Sequence, residues 1–170
     1  YFQNDITGWI TGSNFYKTTN GGINWVQQAI PPPGPVYSIV FINDNTGFVS
    51  SYYSKIYKTT NAGQSWFMKY EGQFHTFIYD LVFVNANTGY GVGDSGFDGI
   101  LKTTNGGENW VRVYSVDGLM SVYFKDESTG WAGGLSEILL TTNSGLNWTT
   151  QNLPVSMTGS LRRITKSNDN

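Results

Sequence analysis

Residues 18–25 read TTNGGINW, and the same frame returns as TTNAGQSW (59–66), TTNGGENW (103–110) and TTNSGLNW (141–148). Its tryptophans, Trp25, Trp66, Trp110 and Trp148, stand 41, 44 and 38 residues apart. A second landmark keeps step with it: ITGW, NTGF, NTGY and STGW, whose glycines Gly8, Gly47, Gly89 and Gly130 are separated by 39, 42 and 41 residues. A unit of about forty residues with four strand signals, repeated four times, has the period of propeller blades.

The strands between the landmarks can be read one by one. VYSIVFIN (36–43) is β-branched and aromatic, which predicts a strand buried on both faces, and DLVFVN and SVYFKD repeat it in later units. GFVSSYY and KIYKTT alternate more, as half-buried strands do. No segment sustains a 3.6-residue period, so almost no helix is expected. The expected fold is all-β: four-stranded antiparallel meanders forming propeller blades, with repeats at about 1–39, 40–81, 82–122 and 123–164 and a fifth beginning at 165–170.

Loop lengths separate two faces of such a disc. From the first Thr of the box to its Trp is 7 residues in every copy, whereas from the TG glycine to that Thr is 10, 12, 14 and 11. From the Trp to the next TG glycine it is 22, 23 and 20. Successive turns of a meander alternate between faces. The fixed-length N-x-N-T-G turn and the box therefore share one face, and the variable loops share the other, where binding on a rigid scaffold usually lives.

The box itself reads as a turn-closing device. Thr18, Thr59, Thr103 and Thr141 supply hydroxyls that can bond across the turn, and Asn20, Asn61, Asn105 and Asn143 supply side chains that bond turn backbone. Gly22, Gly63, Gly107 and Gly145 supply positive φ, and Trp25, Trp66, Trp110 and Trp148 anchor the next strand by burying ~150–250 Å² each. These roles need no chemistry from a ligand.

Composition narrows the function classes. The net charge of -2 and the 13% charged residues leave no basic footprint for nucleic acid and no acidic tail. No cysteine is present, which excludes disulfides, zinc–thiolate sites and cysteine nucleophiles. No apolar run approaches the ~18 residues of a membrane-spanning helix.

The pattern (S/T)-x-(D/N)-x-G-x-x-W resembles the Asp-box of BNR repeats, found in sialidases, sortilin-type propellers and xyloglucan hydrolases. The fuller unit, with its N-x-N-T-G turn and K-T-T-N-x-G-x-x-W box, is closer to the photosystem II stability/assembly factor-like family. The resemblance spans nearly the whole chain. It implies a β-propeller, commonly seven-bladed, of which this chain would be a part, with the boxes on the face away from the active or binding side. One departure is that all four boxes carry Asn where the motif has Asp, which weakens any cation role.

Enzyme readings fare poorly. Sialidase chemistry, as the resemblance implies it, uses an arginine triad, but this chain has three arginines, with Arg162 and Arg163 adjacent; neighbours on a strand point to opposite faces. Glycoside hydrolysis needs two carboxylates ~5–9.5 Å apart. The dense acidic loop GDSGFDG offers Asp94 and Asp98, with Glu137 or Asp117 as possible partners, but a Gly-rich polar turn is the favoured reading because such turns are common. A calcium site there would need six or more oxygens. His75 has no nucleophile elbow beside it, and no P-loop, dinucleotide fingerprint or His pair occurs. No catalytic residue, metal or cofactor is expected.

The expected working surface is the variable face, with Tyr52, Tyr53, Phe74, His75, Asp94, Phe97, Asp98 and Glu137 as its candidate residues. The PPPGP run (31–35) stiffens one inter-blade connection on that side. The leading expectation is a non-catalytic module for protein–protein interaction, in assembly or as an extracellular scaffold, placed outside the cell or in the periplasm. The rival is a carbohydrate-binding propeller or part of an Asp-box glycoside hydrolase. Head and tail duplicate a few register positions, so further blades or other chains are expected to cover the end strands.

Overall fold

The computed structural model describes residues 1–29, 34–72, 76–94, 99–135, 137–152 and 159–165. Phe74, His75, Phe97, Asp98 and Pro31–Pro33 lie outside the described residues. Every regular element among the described residues is a strand. They form four successive meanders: β1 (Gly8–Ile10), β2 (Tyr16–Thr18) and β3 (Val26–Gln27); β4 (Val36–Phe41), β5 (Gly47–Ser51), β6 (Lys55–Thr59) and β7 (Phe67–Glu71); β8 (Ile78–Phe83), β9 (Gly89–Gly93), β10 (Ile100–Thr103) and β11 (Val111–Tyr114); β12 (Leu119–Phe124), β13 (Gly130–Gly134), β14 (Ile138–Thr141) and β15 (Thr149–Gln151). Each pairs antiparallel with its neighbour in chain order. The first sheet has three strands, extended by a single bridge from Phe2 to Gly8.

Both fixed-length turns lie on one face of every blade. The side chains of Asn4, Asn43, Asn85 and Asp126 each accept two backbone N–H bonds at 2.7–3.1 Å and so close the TG turn. That turn is then tied to the box: Gly21, Ala62, Gly106 and Ser144 donate their N–H to the carbonyls of Ile6, Asn45, Asn87 and Ser128 at 2.9 Å.

The inner strands β4, β8 and β12 lie side by side, and burial along the blade differs from the sequence expectation. The inner strands mix buried and half-buried positions, whereas β5 and β9 are buried at every position and β13 at all but Trp131. The reason is position. An inner strand keeps one edge on an axial cleft, while the second strand is pressed between neighbouring blades. Small residues such as Ser50, Ser51, Gly91 and Ala132 on the second strand permit that approach.

The joint between blades is built the same way three times. The aromatic after the TG glycine stacks on the inner-strand Phe of the following blade: Trp9 on Phe41 at 5.4 Å, Phe48 on Phe83 at 4.3 Å and Tyr90 on Phe124 at 4.2 Å between centroids. The box Trp of that blade meets the same Phe edge-on, Trp66 at 6.2 Å, Trp110 at 5.8 Å and Trp148 at 6.0 Å. A lysine crosses each joint over the aromatic, Lys17, Lys58 and Lys102 donating to the box carbonyls of Ala62, Gly106 and Ser144 at 2.7–2.8 Å. Leu140 stands at the fourth lysine position.

Candidate functional site

The Thr–Asn–Gly turn of the box is closed by its own hydrogen bonds, while the buried indole N–H groups of Trp66, Trp110 and Trp148 have no partner among the described residues. In all four copies the Thr Oγ1 donates to the Asn Oδ1 at 2.9–3.0 Å and accepts the N–H of the box glycine at 2.9–3.0 Å. The Asn Oδ1 also accepts the backbone N–H four residues on, from Asn24, Ser65, Asn109 and Asn147. Gly22, Gly63, Gly107 and Gly145 hold φ between 69° and 88°. Among the described residues no cluster of His, Cys, Asp or Glu could hold a metal ion.

On the opposite face the structure gathers aromatics from two blades. Tyr52 and Tyr53 lie 4.0 Å apart between centroids at the β5–β6 turn. Tyr52 packs on Phe77 at 5.6 Å, and Phe77 on Tyr37 at 5.6 Å and Tyr79 at 6.0 Å. The Tyr79 hydroxyl donates to Asp94 Oδ2 at 3.3 Å; burial first, and the Asp94 charge second, push this hydroxyl above its ordinary pKa. Glu137 lies elsewhere, accepting a bond from Thr150 Oγ1 at 3.1 Å.

The turn that carries this pair is strained. Tyr53 and Ser54 both hold left-handed backbone, at φ 60° and 49°, a conformation that costs a non-glycine residue roughly 1–2 kcal/mol. It is held from below: the buried Ser54 hydroxyl meets Thr76 Oγ1 at 2.7 Å, and the Ser54 carbonyl accepts the Gly72 N–H at 3.1 Å. Strain kept at a half-buried aromatic pair is an observation from which a functional site can be inferred.

Beside this ribbon opens the axial cleft, a cavity of about 510 Å³ whose walls include Tyr37, Tyr79, Asp80, Tyr123, Arg162 and Arg163. Each inner strand has an irregular register, between Val36 and Ser38, Ile78 and Asp80, and Leu119 and Ser121. A bulge of this kind re-aims the extra residue. Those residues are Tyr37, Tyr79 and Met120, and all three line the cleft. Counting back from the Asn168–Asn170 match to Asn43–Asn45, Arg162 falls at the same register position. With Tyr79 and Met120 it lines a side pocket of about 300 Å³. Both arginines border the cleft, contrary to the expectation that they diverge, because residues 159–165 do not form a strand.

Asp80 is the cleft's carboxylate, and it is fully engaged. Its oxygens accept Ser38 Oγ–H at 3.3 Å, its own neighbour Leu81 N–H at 3.0 Å, Ser121 Oγ–H at 3.1 Å and Val122 N–H at 3.0 Å. Burial pushes its carboxyl above the ordinary range despite the opposing pull of these four bonds. The third inner-strand position thus bridges blades: Ser38 Oγ also accepts Leu81 N–H, and Ser121 Oγ accepts Ile164 N–H at 3.0 Å. Sequence reasoning missed this site. Its only signal was an acid at 80 where the matching strands carry serine.

No protein-family model matches the chain, and no curated protein matches it in sequence. Among solved structures it is similar to the GH74 enzyme of Niastella koreensis, with TM-score 0.70 and 16% identity over 87% of this chain and 28% of that one. An ancestral GH74 enzyme gives 0.68 and 21% identity over 88% of this chain and 24% of the other. YCF48 from Cyanidioschyzon merolae gives 0.59 and 20% identity over 72% and 38%. At these identities the likeness defines a fold: the chain is an all-β set of β-propeller blades, and it spans well under half of each of these structures.

Proposed function

We propose that the chain is a non-catalytic propeller module whose loop face binds a protein partner. One observation carries this reading. The carboxylate that lines the axial cleft, Asp80, is held by four hydrogen bonds, which leaves tyrosines, Met120 and two arginines facing the space. Tyr and Arg are the residue types that dominate binding energy at protein interfaces. General acid–base hydrolysis needs a free pair of carboxylates instead. In this reading the boxes are staples of the BNR/Asp-box type, and Tyr52, Tyr53 and Asp94 belong to the working surface. The location proposed with it, outside the cell or in the periplasm, rests on the family resemblance alone.

A carbohydrate-directed module is the second reading, favoured by the strained Tyr52–Tyr53 platform beside a polar cleft and by the likeness to GH74 folds. The two are separated by titration. Random-peptide panning on the immobilised chain is expected to enrich sequences that bind it and lose binding with Tyr53→Ala or Arg162→Ala, while Gln64→Ala on the box face leaves binding intact. Heat or hydrolysis with xyloglucan oligosaccharides, abolished by Tyr53→Ala, overturns the protein-binding reading.

A further inference from the structure

One ion-pair position differs among the three joints inside the chain. At the second joint Glu108, a box residue of the third blade, reaches back to Lys58 at 2.7 Å and Lys69 at 2.6 Å. Lys58 is the lysine that crosses this joint, and Lys69 stands three residues after Trp66. At the third joint the matching residues are Leu146, Lys102 and Val113, so two of the three are apolar. At the first joint they are Gln64, Lys17 and Gln28: the donors persist there, and the carboxylate is replaced by an amide.

A cavity of about 350 Å³ opens at this place in the first joint, lined by Lys17, Thr19, Asn20, Asn24, Val26 and Gln28. Its walls therefore include both residues that match the two lysines on Glu108. Lys17 Nζ donates to the Ala62 carbonyl at 2.8 Å and lies over Trp9 at 4.7 Å, and among the described residues it pairs with no carboxylate. An ammonium carries three donors, so the Ala62 carbonyl uses one of them. Burial holds this ammonium below the ordinary lysine pKa. Beside it, the Thr19 hydroxyl and the Asn24 carboxamide make no hydrogen bond among the described residues. Gln28 Nε2 donates only to the nearby carbonyls of Val26 and Gln27, at 3.1 and 3.4 Å. Val26, 64% exposed, adds an apolar wall against which a methylene stem can lie.

We propose that this cavity binds a carboxylate from outside the chain, the acidic side chain of a protein partner, seated against Lys17 and Gln28 as Glu108 is seated against Lys58 and Lys69. The second joint supplies the pattern: there the carboxylate is a glutamate side chain that arrives from beyond the blade and takes charge-assisted bonds from both positions. The first joint keeps one ammonium and one amide donor in the same two positions, with a hydroxyl and a second amide beside them. The cavity lies by the box, away from the loop face. The contact therefore does not rest on the loop-face reading.

NMR of the isotope-labelled chain, titrated with the peptide acetyl-Gly-Glu-Gly-amide, tests this. The Lys17 ammonium-end signals and the side-chain amides of Asn24 and Gln28 are expected to move and to saturate in the millimolar range, as befits a partly exposed ion pair. The same peptide with Gln in place of Glu is expected to leave them unmoved. Lys17→Met is expected to weaken binding about fivefold, and Gln28→Lys, which completes the two-lysine clamp, to tighten it by about the same factor. Gln64→Glu supplies the carboxylate from within, as Glu108 does, and is expected to raise the Lys17 pKa and to block the peptide. It keeps every donor of the cavity, so it reads the site even if Lys17→Met disturbs the joint. An equal response to the Gln peptide overturns the proposal, and so does binding that neither Lys17→Met nor Gln64→Glu changes. Acetate that binds as tightly as the Glu peptide overturns the assignment to a protein side chain.

Discussion

The ammonium of Lys102 leaves its own blade, passes over Tyr90 at 5.5 Å and donates to the carbonyl of Ser144 at 2.7 Å. Tyr90 itself donates its hydroxyl to the same carbonyl at 2.7 Å, and its burial pushes that hydroxyl up to about 12. One box carbonyl therefore holds two side chains of the preceding blade. Lys102→Met keeps the apolar stem, as Leu140 does naturally, and removes the charged bond. The expected loss is about 1–2 kcal/mol in urea unfolding, with an unchanged slope.

Thr103 is the second test. Its buried hydroxyl donates to Asn105 Oδ1 and accepts the N–H of Gly107, both at 3.0 Å. Thr103→Val keeps the shape, orphans the Gly107 N–H and leaves Asn105 Oδ1 with the Asn109 N–H alone, for an expected loss of about 2 kcal/mol. Thr103→Ser keeps both bonds and is expected to lose less than half of that by the same measurement.

The box was legible because its work is local. Thr, Asn and Gly at fixed spacing encode a turn whose bonds lie within five residues of one another, and periodicity then supplies the blade count. The burial order of the strands was not legible. Apolar Val36–Phe41 and mixed Gly47–Ser51 read as buried and half-buried strands, but the open axial edge falls beside the first and a neighbouring blade beside the second. The cleft was hidden for a related reason. Tyr37, Tyr79 and Met120 face one space only because a one-residue register shift recurs in each inner strand, and such a shift leaves no mark in residue type.

Glu108 ties two blades by meeting Lys58 at 2.7 Å and Lys69 at 2.6 Å. Hydrogen bonds from these ammonium groups hold its carboxyl well below 4.5, down to about 2. A folded pKa lowered in this way stabilises the fold above pH 4.5, and the contribution is lost as pH falls from there to about 2. Glu108→Gln is expected to flatten the fall in Tm between pH 5 and pH 2.5. Asp80 has the opposite sign, since its carboxyl is raised: its help is present in acid and is lost as pH rises past 3.8. Asp80→Asn should steepen the same acid limb.

Tyr53 offers a trade between stability and binding. Its φ of 60° suits asparagine better than tyrosine. Tyr53→Asn is expected to relieve about 1 kcal/mol of backbone strain while removing one ring of the half-buried pair. The thermal midpoint should stay level or rise as affinity for any loop-face ligand falls. A lower midpoint together with unchanged affinity would show that the ring is there for packing.

The two adjacent box glycines of the third blade should respond very differently to the same methyl group. Gly106 holds φ 66°, a conformation that Ala62 and Ser144 already adopt at the same box position with φ 56° and 59°. An added Cβ there would lie 3.3 Å from the Ala86 carbonyl and in ordinary contact, at 3.9 Å, with Lys58 Nζ. Gly107 holds φ 74° as well, but its Cβ would fall 2.2 Å from Phe48 Cε1, inside the joint where that ring stacks on Phe83. Gly106→Ala therefore meets the left-handed backbone term alone and is expected to lose about 1 kcal/mol. Gly107→Ala adds overpacking of a buried aromatic, and about 3 kcal/mol is expected. Urea unfolding of the two variants side by side checks the difference. Equal losses would mean that the box glycine is kept for its dihedral angle, and that the preceding blade's ring does not set the requirement.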